Sequence, residues 1–380
     1  MGKWPKMSGR FNNNLNSSKK VLVAMSGGVD STVAALLLKE AGFTVEGVTM
    51  RLWVDSQSQK AALKDERIFS KLDNTDAAEK AAKKLGIAHR IVEMKEEFYE
   101  RVVCGFTAGY LRGRTPNPCV ECNRAVKFAL LLKMAANMGI DRVATGHYAR
   151  VKRDPGGGGC LLLKGLDRHK DQSYMLYTLG QAELEAVTFP LGDKTKEDVR
   201  QIAAAAGIEE TVGEESQEIC FLPDHDYRSF LERHCPEVKK EGDIVNLAGD
   251  KVGRHSGIAF YTVGQRKGLG LTTAEPCYVV RIDAAANRLV VGPAEELFSR
   301  GLLVEKPHYI SGCIPEETIE VEVKVRYRAP AVPAVLYPPQ GGRARVEFRK
   351  KQRAVTPGQS AVFYRGEEVV GGGVIEEAVP

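Results

Sequence analysis

Short apolar runs alternate with longer segments of helical character through the first half of the chain. The apolar runs predict buried strands at residues 21–25, 45–53, 89–94 and 142–145. The longer segments predict helices at residues 32–41, 75–85, 96–111, 125–138 and 195–206. Because strands and helices alternate, this half is predicted to be an α/β domain with a doubly wound parallel sheet.

The pattern changes after Gly213. A loop-rich stretch with one clear helix, at residues 227–234, extends to about residue 274. Short alternating segments punctuated by Pro and Gly then predict strands at residues 278–282, 288–291, 319–326, 344–348 and 360–364. Such strands are typical of a small antiparallel β-barrel or sandwich, and we favour a barrel. In the first half, the sequence DPGGGG at residues 154–159 predicts the tip of a hairpin.

These patterns divide the chain into four parts. We expect a disordered basic extension at 1–19, the α/β domain at 20–213, a small central domain at 214–276 and the barrel at 277–380. The first 20 residues carry five Lys and Arg and no acid, which accounts for the whole net charge of +5. They lack the apolar core of a secretory signal. Since the remainder is neutral, any affinity for RNA must come from local clusters of charge.

Composition excludes several other classes of protein. The chain has 43% hydrophobic and 27% charged residues, as ordinary globular proteins do. No apolar run approaches the roughly 20 residues that a membrane-spanning helix needs, so we expect no membrane partner. Its 8 cysteines in a chain without a signal indicate a reducing compartment, and we expect a cytoplasmic protein.

The segment SGGVDS, Ser26–Ser31, lies at the turn from the first predicted strand into the first helix. Glycines at such a turn let backbone N–H groups close on an anion, and the helix N-terminus and serine hydroxyls add to the attraction. The segment therefore predicts a phosphate site. It lacks the Lys of a Walker A loop and the GxGxxG pattern of dinucleotide sites. The alternative is a tight turn capped by Ser31 or Asp30.

A second segment, TPNPCVECN at Thr115–Asn123, forms a rigid turn into the helix that contains Lys127. Cys119 and Cys122 form a CxxC pair there, and we expect the helix dipole to lower their pKa values. This predicts a functional thiol pair. The alternative is half of a structural zinc site, but the sequence contains no second CxxC.

Two further features complete the candidate chemistry. Cys220 lies in SQEICF, whereas the other five cysteines are expected to be small buried hydrophobic residues: Cys104, Cys160, Cys235, Cys277 and Cys313. The segments 324–328 and 343–353 are basic with interleaved aromatic residues, which fits binding of RNA phosphates. The alternative is the solvated face of edge strands, where lysines oppose aggregation.

SGGVDS resembles the PP-loop of ATP pyrophosphatases. From Lys20 onward the chain resembles the tRNA-specific 2-thiouridylase family of that superfamily. The resemblance is carried by SGGVDS, TPNPCVECN, ATGHYA (144–149), KDQS (170–173), SQEICF, YTVGQRKGLG (261–270) and VTPGQSAVF (355–363).

The resemblance implies a tRNA-uridine 2-sulfurtransferase that acts on the wobble uridine in the tRNA anticodon stem-loop. ATP, with Mg²⁺, would adenylate the C2 oxygen of that uridine. Sulfur from a cysteine persulfide would then replace the oxygen, giving 2-thiouridine, AMP and pyrophosphate. The implied protein partner is a persulfide-carrying sulfur donor or a cysteine desulfurase.

The resemblance also implies roles for individual residues. Cys122 would be the nucleophilic or resolving cysteine, and Cys220 would carry the persulfide. ATP would contact Ala24, Met25, Ser26, Gly27, Gly28, Val29, Asp30, Ser31, Met50 and Gly146, with Asp30 a candidate to orient Mg²⁺. The target base would lie against Asn117, Pro118 and Cys119. Further tRNA contacts would come from the central domain and from His147, Lys170, Asp171, Gln172, Arg326, Tyr327 and Gln359. Taken alone, His147 is more typical of a packed core histidine.

One position departs from the family pattern. Many members have Asp where this chain has Cys119, so three thiols could gather: Cys119, Cys122 and Cys220. Three thiolates could hold a [4Fe–4S] cluster with a free iron for sulfide, which gives an alternative route of sulfur transfer. Two rival classes remain: another PP-loop synthetase, and an RNA-binding protein with a structural zinc at the CxxC.

Overall fold

The computed structural model describes residues 20–55, 75–208, 219–222, 226–272 and 275–380. The predicted extension at 1–19 lies outside these residues. Within the described ranges, no helix is both long and apolar enough to cross a membrane.

The first unit is built on a parallel sheet flanked by helices. In chain order its elements are β1 (Lys20–Ala24), α1 (Val29–Glu40), β2 (Thr44–Arg51), α2 (Thr75–Leu85), β3 (Ala88–Glu93), α3 (Lys95–Phe98), α4 (Cys104–Leu111), α5 (Pro118–Cys122), α6 (Ala129–Asn137), β4 (Val143–Ala144), β5 (Ala149–Arg153), β6 (Cys160–Lys164), α7 (Gln181–Ala186), β7 (Val187–Thr188) and α8 (Lys196–Ala205). Two π-helical segments, Tyr99–Val103 and Asn123–Phe128, join α3 to α4 and α5 to α6.

The sheet runs in the order β3-β2-β1-β4-β7, with every pairing parallel. Strand β1 lies at its centre because Val21, Leu22 and Val23 are buried on both faces. The order reverses at β1, so the carboxyl ends of β1 and β4 form the crevice where such sheets bind ligands. The predicted doubly wound α/β fold is confirmed.

The central unit contains α9 (Tyr227–His234), β8 (Gly242–Val245), β9 (Lys251–His255), β10 (Tyr278–Asp283) and β11 (Arg288–Gly292). Its sheet has the order β10-β11-β8-β9. Residues 278–292 therefore pair with the central unit. The sequence analysis assigned these two strands to the barrel, because local alternation does not reveal a partner strand that lies some 40 residues earlier in the chain.

The C-terminal unit is a closed antiparallel barrel. Its strands are β12 (Phe298–Tyr309), β13 (Ile319–Lys324), β14 (Val332–Leu336), β15 (Arg343–Arg353), β16 (Ser360–Arg365) and β17 (Glu368–Val379). Strand β12 pairs with both β15 and β17, which closes the barrel. The hairpin β5–β6 of the first unit joins the outside of β17, so the two units share one sheet.

Two joints fasten the other units to the first. At one joint, the buried Asp55 accepts hydrogen bonds from Arg233 (3.1 Å) and His234 (2.7 Å) of α9. At the other, Thr115 donates its N–H to the carbonyl of Pro357 (2.9 Å), in a turn between β15 and β16. The second joint lies directly beside the CxxC segment.

Gly358 is the tightest point of that second joint. Its φ is +93°, and an added Cβ would lie 2.8 Å from the Thr115 nitrogen. We expect Gly358→Ala to lower the thermal midpoint of unfolding clearly more than Gly366→Ala. Gly366 also has positive φ (+58°), but open space surrounds it, so only the left-handed backbone penalty of roughly 1–2 kcal/mol applies there. Scanning calorimetry of the two variants tests this, and equal shifts would show that the joint tolerates the added methyl group.

Candidate active site

The SGGVDS loop is braced from within. The Ser31 hydroxyl accepts a hydrogen bond from the Ser26 N–H (3.1 Å) and donates one to the Gly28 carbonyl (3.0 Å). Gly27 adopts φ +73°, which favours glycine. Helix α1 begins at Val29, so its first N–H groups have no carbonyl partner within the helix. These donors and the helix dipole suit the loop to bind phosphate.

Gly146 lies directly against this loop. An added Cβ at Gly146 would lie 2.8 Å from the Ser31 nitrogen and 2.8 Å from the Asp30 carbonyl carbon, so only glycine allows this approach. Met50 is placed near the carboxyl end of β2, the strand beside β1. The structure thus gathers the predicted ATP residues at the carboxyl edge of the sheet.

Asp30 is engaged by two side chains that the sequence analysis did not select. The Tyr148 hydroxyl donates to Asp30 Oδ1 (2.7 Å), and the Lys196 ammonium lies 2.8 Å from the same oxygen. Lys196 begins helix α8 and is largely buried. Asp30 therefore ties the loop to α8 through its Oδ1 atom. No local motif signals this pair, because 166 residues separate its members.

The CxxC segment forms the short helix α5. The Asn117 side chain caps it by accepting from the N–H groups of Cys119 (3.2 Å) and Val120 (3.4 Å), and Pro118 fits at its first turn. The Gln359 amide donates to the Thr115 carbonyl (2.8 Å), so the barrel holds the start of this segment. Of the predicted contacts to RNA, Asn117 and Gln359 thus each also have a structural hydrogen bond.

Cys220 belongs to a separate segment, residues 219–222, that lies near the CxxC helix. The buried Phe221 anchors that segment in an aromatic cluster, with ring centroids 5.7 Å from Phe98 and 5.3 Å from Phe106. The Cys220 residue as a whole is exposed. Its thiol nevertheless interacts electrostatically with Cys122 and Cys119, which brings Cys220 into the neighbourhood of the CxxC pair. All eight cysteines are free thiols.

Burial dominates the electrostatics of these thiols. It raises the pKa of Cys119, raises that of Cys122 to about 11, and raises that of Cys220 well above the ordinary range. The neighbouring thiols add to the shift of Cys122 and Cys220, whereas the Lys127 ammonium opposes all three shifts. The expectation of lowered pKa values was wrong, because burial removes water from around these thiols and this loss is the largest effect on their pKa values.

His147 connects the thiols with the phosphate loop. It follows Gly146 in the chain, and its ring lies 5.9 Å from the ring of Phe128. Burial, and then the charge of Lys127, hold its pKa well below the usual value. Its Nδ1 pairs with the Thr145 hydroxyl (2.7 Å). A buried, neutral ring is typical of a histidine packed in the core, and it fits that alternative better than the predicted contact of His147 with tRNA.

Three further residues that were predicted to contact tRNA, at positions 170–172, differ in how far their side chains are exposed. Asp171 is buried and accepts from the N–H groups of Gly165 (3.0 Å) and Ser173 (3.1 Å). The Gln172 side chain accepts from the Tyr148 N–H (3.0 Å). These two residues stabilise the turn that precedes Met175. Lys170 is partly exposed beside them.

On the barrel side, Arg326 is exposed and donates to the Arg353 carbonyl (3.4 Å). Tyr327 lies closer to the thiols. Burial raises its pKa first, and the nearby Asp171 and Cys119 raise it further. Tyr327 therefore brings the barrel to the CxxC segment.

The three thiols do not form a metal site in the described structure. Across those ranges, no group of three His, Cys, Asp or Glu side chains is arranged to hold a metal ion. This arrangement fits neither the [4Fe–4S] cluster on Cys119, Cys122 and Cys220 nor a structural zinc at the CxxC.

The basic segment 343–353 lies on β15, which is an interior strand of the closed barrel. Its guanidinium groups are partly neutralised: Arg343 pairs with Glu376 (2.6 Å), and Arg349 pairs with Glu320. Lys350 and Lys351 are exposed and make no ion pair among the residues described. The registers of β12 and β14 both include Val346 and Glu347 but neither includes Arg349, Lys350 or Lys351, so the edge-strand alternative stays open for these residues.

Family models match almost the whole chain in three parts. Residues 19–224 match a tRNA methyl transferase HUP domain, residues 228–293 a tRNA methyl transferase PRC-barrel domain, and residues 299–375 an aminomethyltransferase β-barrel domain. These bounds agree with the sheet topology, which also assigns residues 278–292 to the central unit.

Curated relatives match over nearly their full length. A protein named tRNA-specific 2-thiouridylase MnmA 1 from Caldanaerobacter subterraneus is 47% identical over 95% of this chain and 99% of its own. Proteins named tRNA-specific 2-thiouridylase MnmA from Geobacter metallireducens and Chloroflexus aggregans are 47% and 48% identical. They cover 95% and 93% of this chain, and 98% of each relative is matched.

The Asp30–Lys196 pair yields a prediction about nucleotide binding. Removing the ammonium in Lys196→Met leaves the Asp30 carboxylate uncompensated beside the bound phosphates. We expect the affinity for ATP, measured by calorimetry, to fall about tenfold, which is roughly 1.4 kcal/mol. The double variant Asp30→Asn/Lys196→Met should recover much of that loss, since the repelling charge is gone.

The matched control is Arg200→Met, on the exposed face of the same helix, which should leave ATP affinity unchanged. If the double variant binds ATP no better than Lys196→Met, electrostatic compensation of Asp30 is the wrong account of Lys196.

Proposed function

The chain belongs to the tRNA-specific 2-thiouridylase family, and from that premise we propose that it replaces the C2 oxygen of the wobble uridine of tRNA with sulfur. ATP is consumed, and AMP and pyrophosphate are released. The observation that carries the proposal is the electrostatic interaction of the Cys122 and Cys220 thiols, which come from separate segments. Lys127 acts on both thiols and on His147, the residue that follows the glycine packed against the phosphate loop. Activation by ATP and delivery of sulfur thus take place in adjoining parts of one site.

The first half-reaction uses the phosphate loop. The C2 oxygen of uridine attacks the α-phosphorus of ATP, the bond to the β-phosphate oxygen breaks, and the N3 proton leaves. The N–H groups at the start of α1 stabilise the departing pyrophosphate. Bound Mg²⁺ would supply further charge neutralisation on the phosphates. Since Asp30 already pairs with Lys196, its role in this step is to hold the loop in position.

The second half-reaction uses the two cysteines. The terminal sulfur of a persulfide on Cys220 attacks C2, and the bond from C2 to the AMP oxygen breaks. The Cys122 thiolate then attacks the Cys220 sulfur and forms a disulfide. The electron pair of the broken S–S bond stays on the sulfur at C2, and N3 regains a proton. An external thiol reductant and a persulfide-carrying protein restore the starting state.

The absence of a ligand-like arrangement of the three thiols supports the persulfide route over the cluster route. A second PP-loop reaction, such as amide or lysidine synthesis, would use the phosphate loop but would leave the meeting of Cys122 and Cys220 unexplained. The membership of the chain in the thiouridylase family also argues against that alternative.

We expect tRNA to approach along the barrel face that carries Arg326, Arg328, Lys350 and Lys351, which are all exposed. This face leads to Tyr327 and hence to the CxxC segment. Phosphate contacts of this kind position an RNA without reading its sequence.

The cysteine requirement tests the proposal directly. We expect anaerobically purified protein to thiolate unmodified tRNA with ATP, Mg²⁺ and a persulfide donor. Cys122→Ala and Cys220→Ala should abolish product while still releasing pyrophosphate. Cys119→Ala should retain activity, and the buried Cys160→Ala serves as a matched control. Bound iron is counted in each variant.

Activity that follows the iron content and requires all three cysteines would replace the persulfide route by the cluster route. An aminated product would assign the chain to another PP-loop reaction. Stoichiometric zinc without pyrophosphate release would make it an RNA-binding protein instead.

The barrel face gives a second prediction. Lys350→Ala/Lys351→Ala should weaken tRNA binding and reduce the slope of log affinity against log salt by about 2, one for each lost phosphate contact. Arg343→Ala is the control, because Arg343 is already paired with Glu376. Filter binding across a salt series measures both. A larger effect from Arg343→Ala would place the RNA elsewhere on the barrel.

A further inference from the structure

Lys127 lies in an unusual position on the helix that follows the CxxC pair. The segment Asn123–Phe128 is π-helical, so its backbone hydrogen bonds join residues five apart and each residue turns by less than in an α-helix. Cys122 and Lys127 are five apart. In a regular α-helix they would point about 140° apart, since each residue turns by about 100°. The π-helical segment thus brings Lys127 onto the face of Cys122.

The charge of Lys127 reaches every group at the sulfur end of the site. It acts on Cys119 and Cys122 of its own helix, on Cys220 from the segment 219–222, and on the buried His147. Side chains from three separate segments therefore lie within the electrostatic influence of one ammonium. Among the described residues, Lys127 is the cation named for all four groups.

Lys127 makes no ion pair with a carboxylate among the described residues. The acid one turn earlier, Glu121, is held by Arg124, with N–O distances of 2.5 and 3.0 Å. Lys127 is also partly buried, so water screens its charge only in part. A partly buried ammonium with no carboxylate partner in the described part of the chain suits a site where negative charge develops during a reaction.

We propose that Lys127 is a catalytic residue of the sulfur-transfer half-reaction, in which its ammonium stabilises the negative charge carried by the reacting sulfurs. This inference rests on the proposed function. The charge is first on the terminal persulfide sulfur of Cys220, which forms the bond to C2 as the bond to AMP breaks. It is then on the Cys122 sulfur, which forms the disulfide, and finally on the sulfur at C2. At each stage one sulfur is anionic, in surroundings that otherwise disfavour an anion.

The assignment is tested by separating the two half-reactions in Lys127→Met, with Lys133→Met as the control. Lys133 is exposed on the following helix and makes no ion pair among the residues described. Pyrophosphate release with tRNA and ATP reports the first half-reaction. Single-turnover thiolation by enzyme preloaded with persulfide reports the second. The rate of iodoacetamide alkylation of Cys122 and Cys220, followed by mass spectrometry, reports thiolate character without any tRNA.

We expect Lys127→Met to release pyrophosphate within about twofold of the wild type and to thiolate about 100-fold more slowly, as when one charge-stabilising group is removed. Alkylation of both cysteines should slow, and Lys127→Arg should recover part of both rates. Equal losses in both half-reactions, or unchanged thiolation, would overturn the assignment.

Failure of the proposed function looks different from failure of this inference. If the wild type does not thiolate tRNA, the function is wrong, whatever Lys127 does. If the wild type thiolates tRNA and Lys127→Met alkylates at the wild-type rate, the function stands and Lys127 is not its sulfur-stabilising cation.

Discussion

The proposed sulfur transfer depends on forming a sulfur anion in surroundings where burial disfavours negative charge. Cys119, Cys122 and Cys220 meet where three parts of the chain close on one another, and burial raises the pKa of each thiol. A protonated thiol is a poor nucleophile, so the raised pKa values oppose reactivity of the resting thiols. Lys127 partly opposes this effect of burial at all three sulfurs.

The phosphate end of the site depends on a second lysine. Lys196 and Tyr148 hold Asp30, and with it the start of α1, against α8. Each of the two proposed half-reactions thus has one ammonium from outside its own sequence motif. Gly146 and His147 connect the two ends, since Gly146 contacts the phosphate loop and His147 packs on the helix that carries Lys127. The barrel completes the site by fastening Thr115 and Gln359 beside the thiols.

Local sequence patterns predicted much of this architecture. Four of the five strands of the described sheet were predicted because apolar runs are local signals, whereas β7 (Val187–Thr188) and the helix α7 before it were missed. The phosphate loop was predicted because its glycines stand at one turn. Strand partners were harder to predict. Residues 278–292 alternate like barrel strands yet pair with β8, and β14 was missed since Pro333 weakens its strand pattern. No local sequence pattern predicts the ion pairs of Lys196 and Asp55, because their partners are more than 160 residues away in the chain. The direction of the thiol pKa shifts was mispredicted because burial is a property of the assembled fold.

The most direct test of the central claim follows one sulfur atom. Enzyme carrying an isotopically labelled persulfide on Cys220 is mixed with ATP and unmodified tRNA for a single turnover, without reductant. The account predicts labelled 2-thiouridine together with an equal amount of Cys122–Cys220 disulfide, both measured by mass spectrometry. Unlabelled thiolated product, or labelled product while both cysteines remain reduced, would contradict sulfur transfer from Cys220 with Cys122 as its resolving partner.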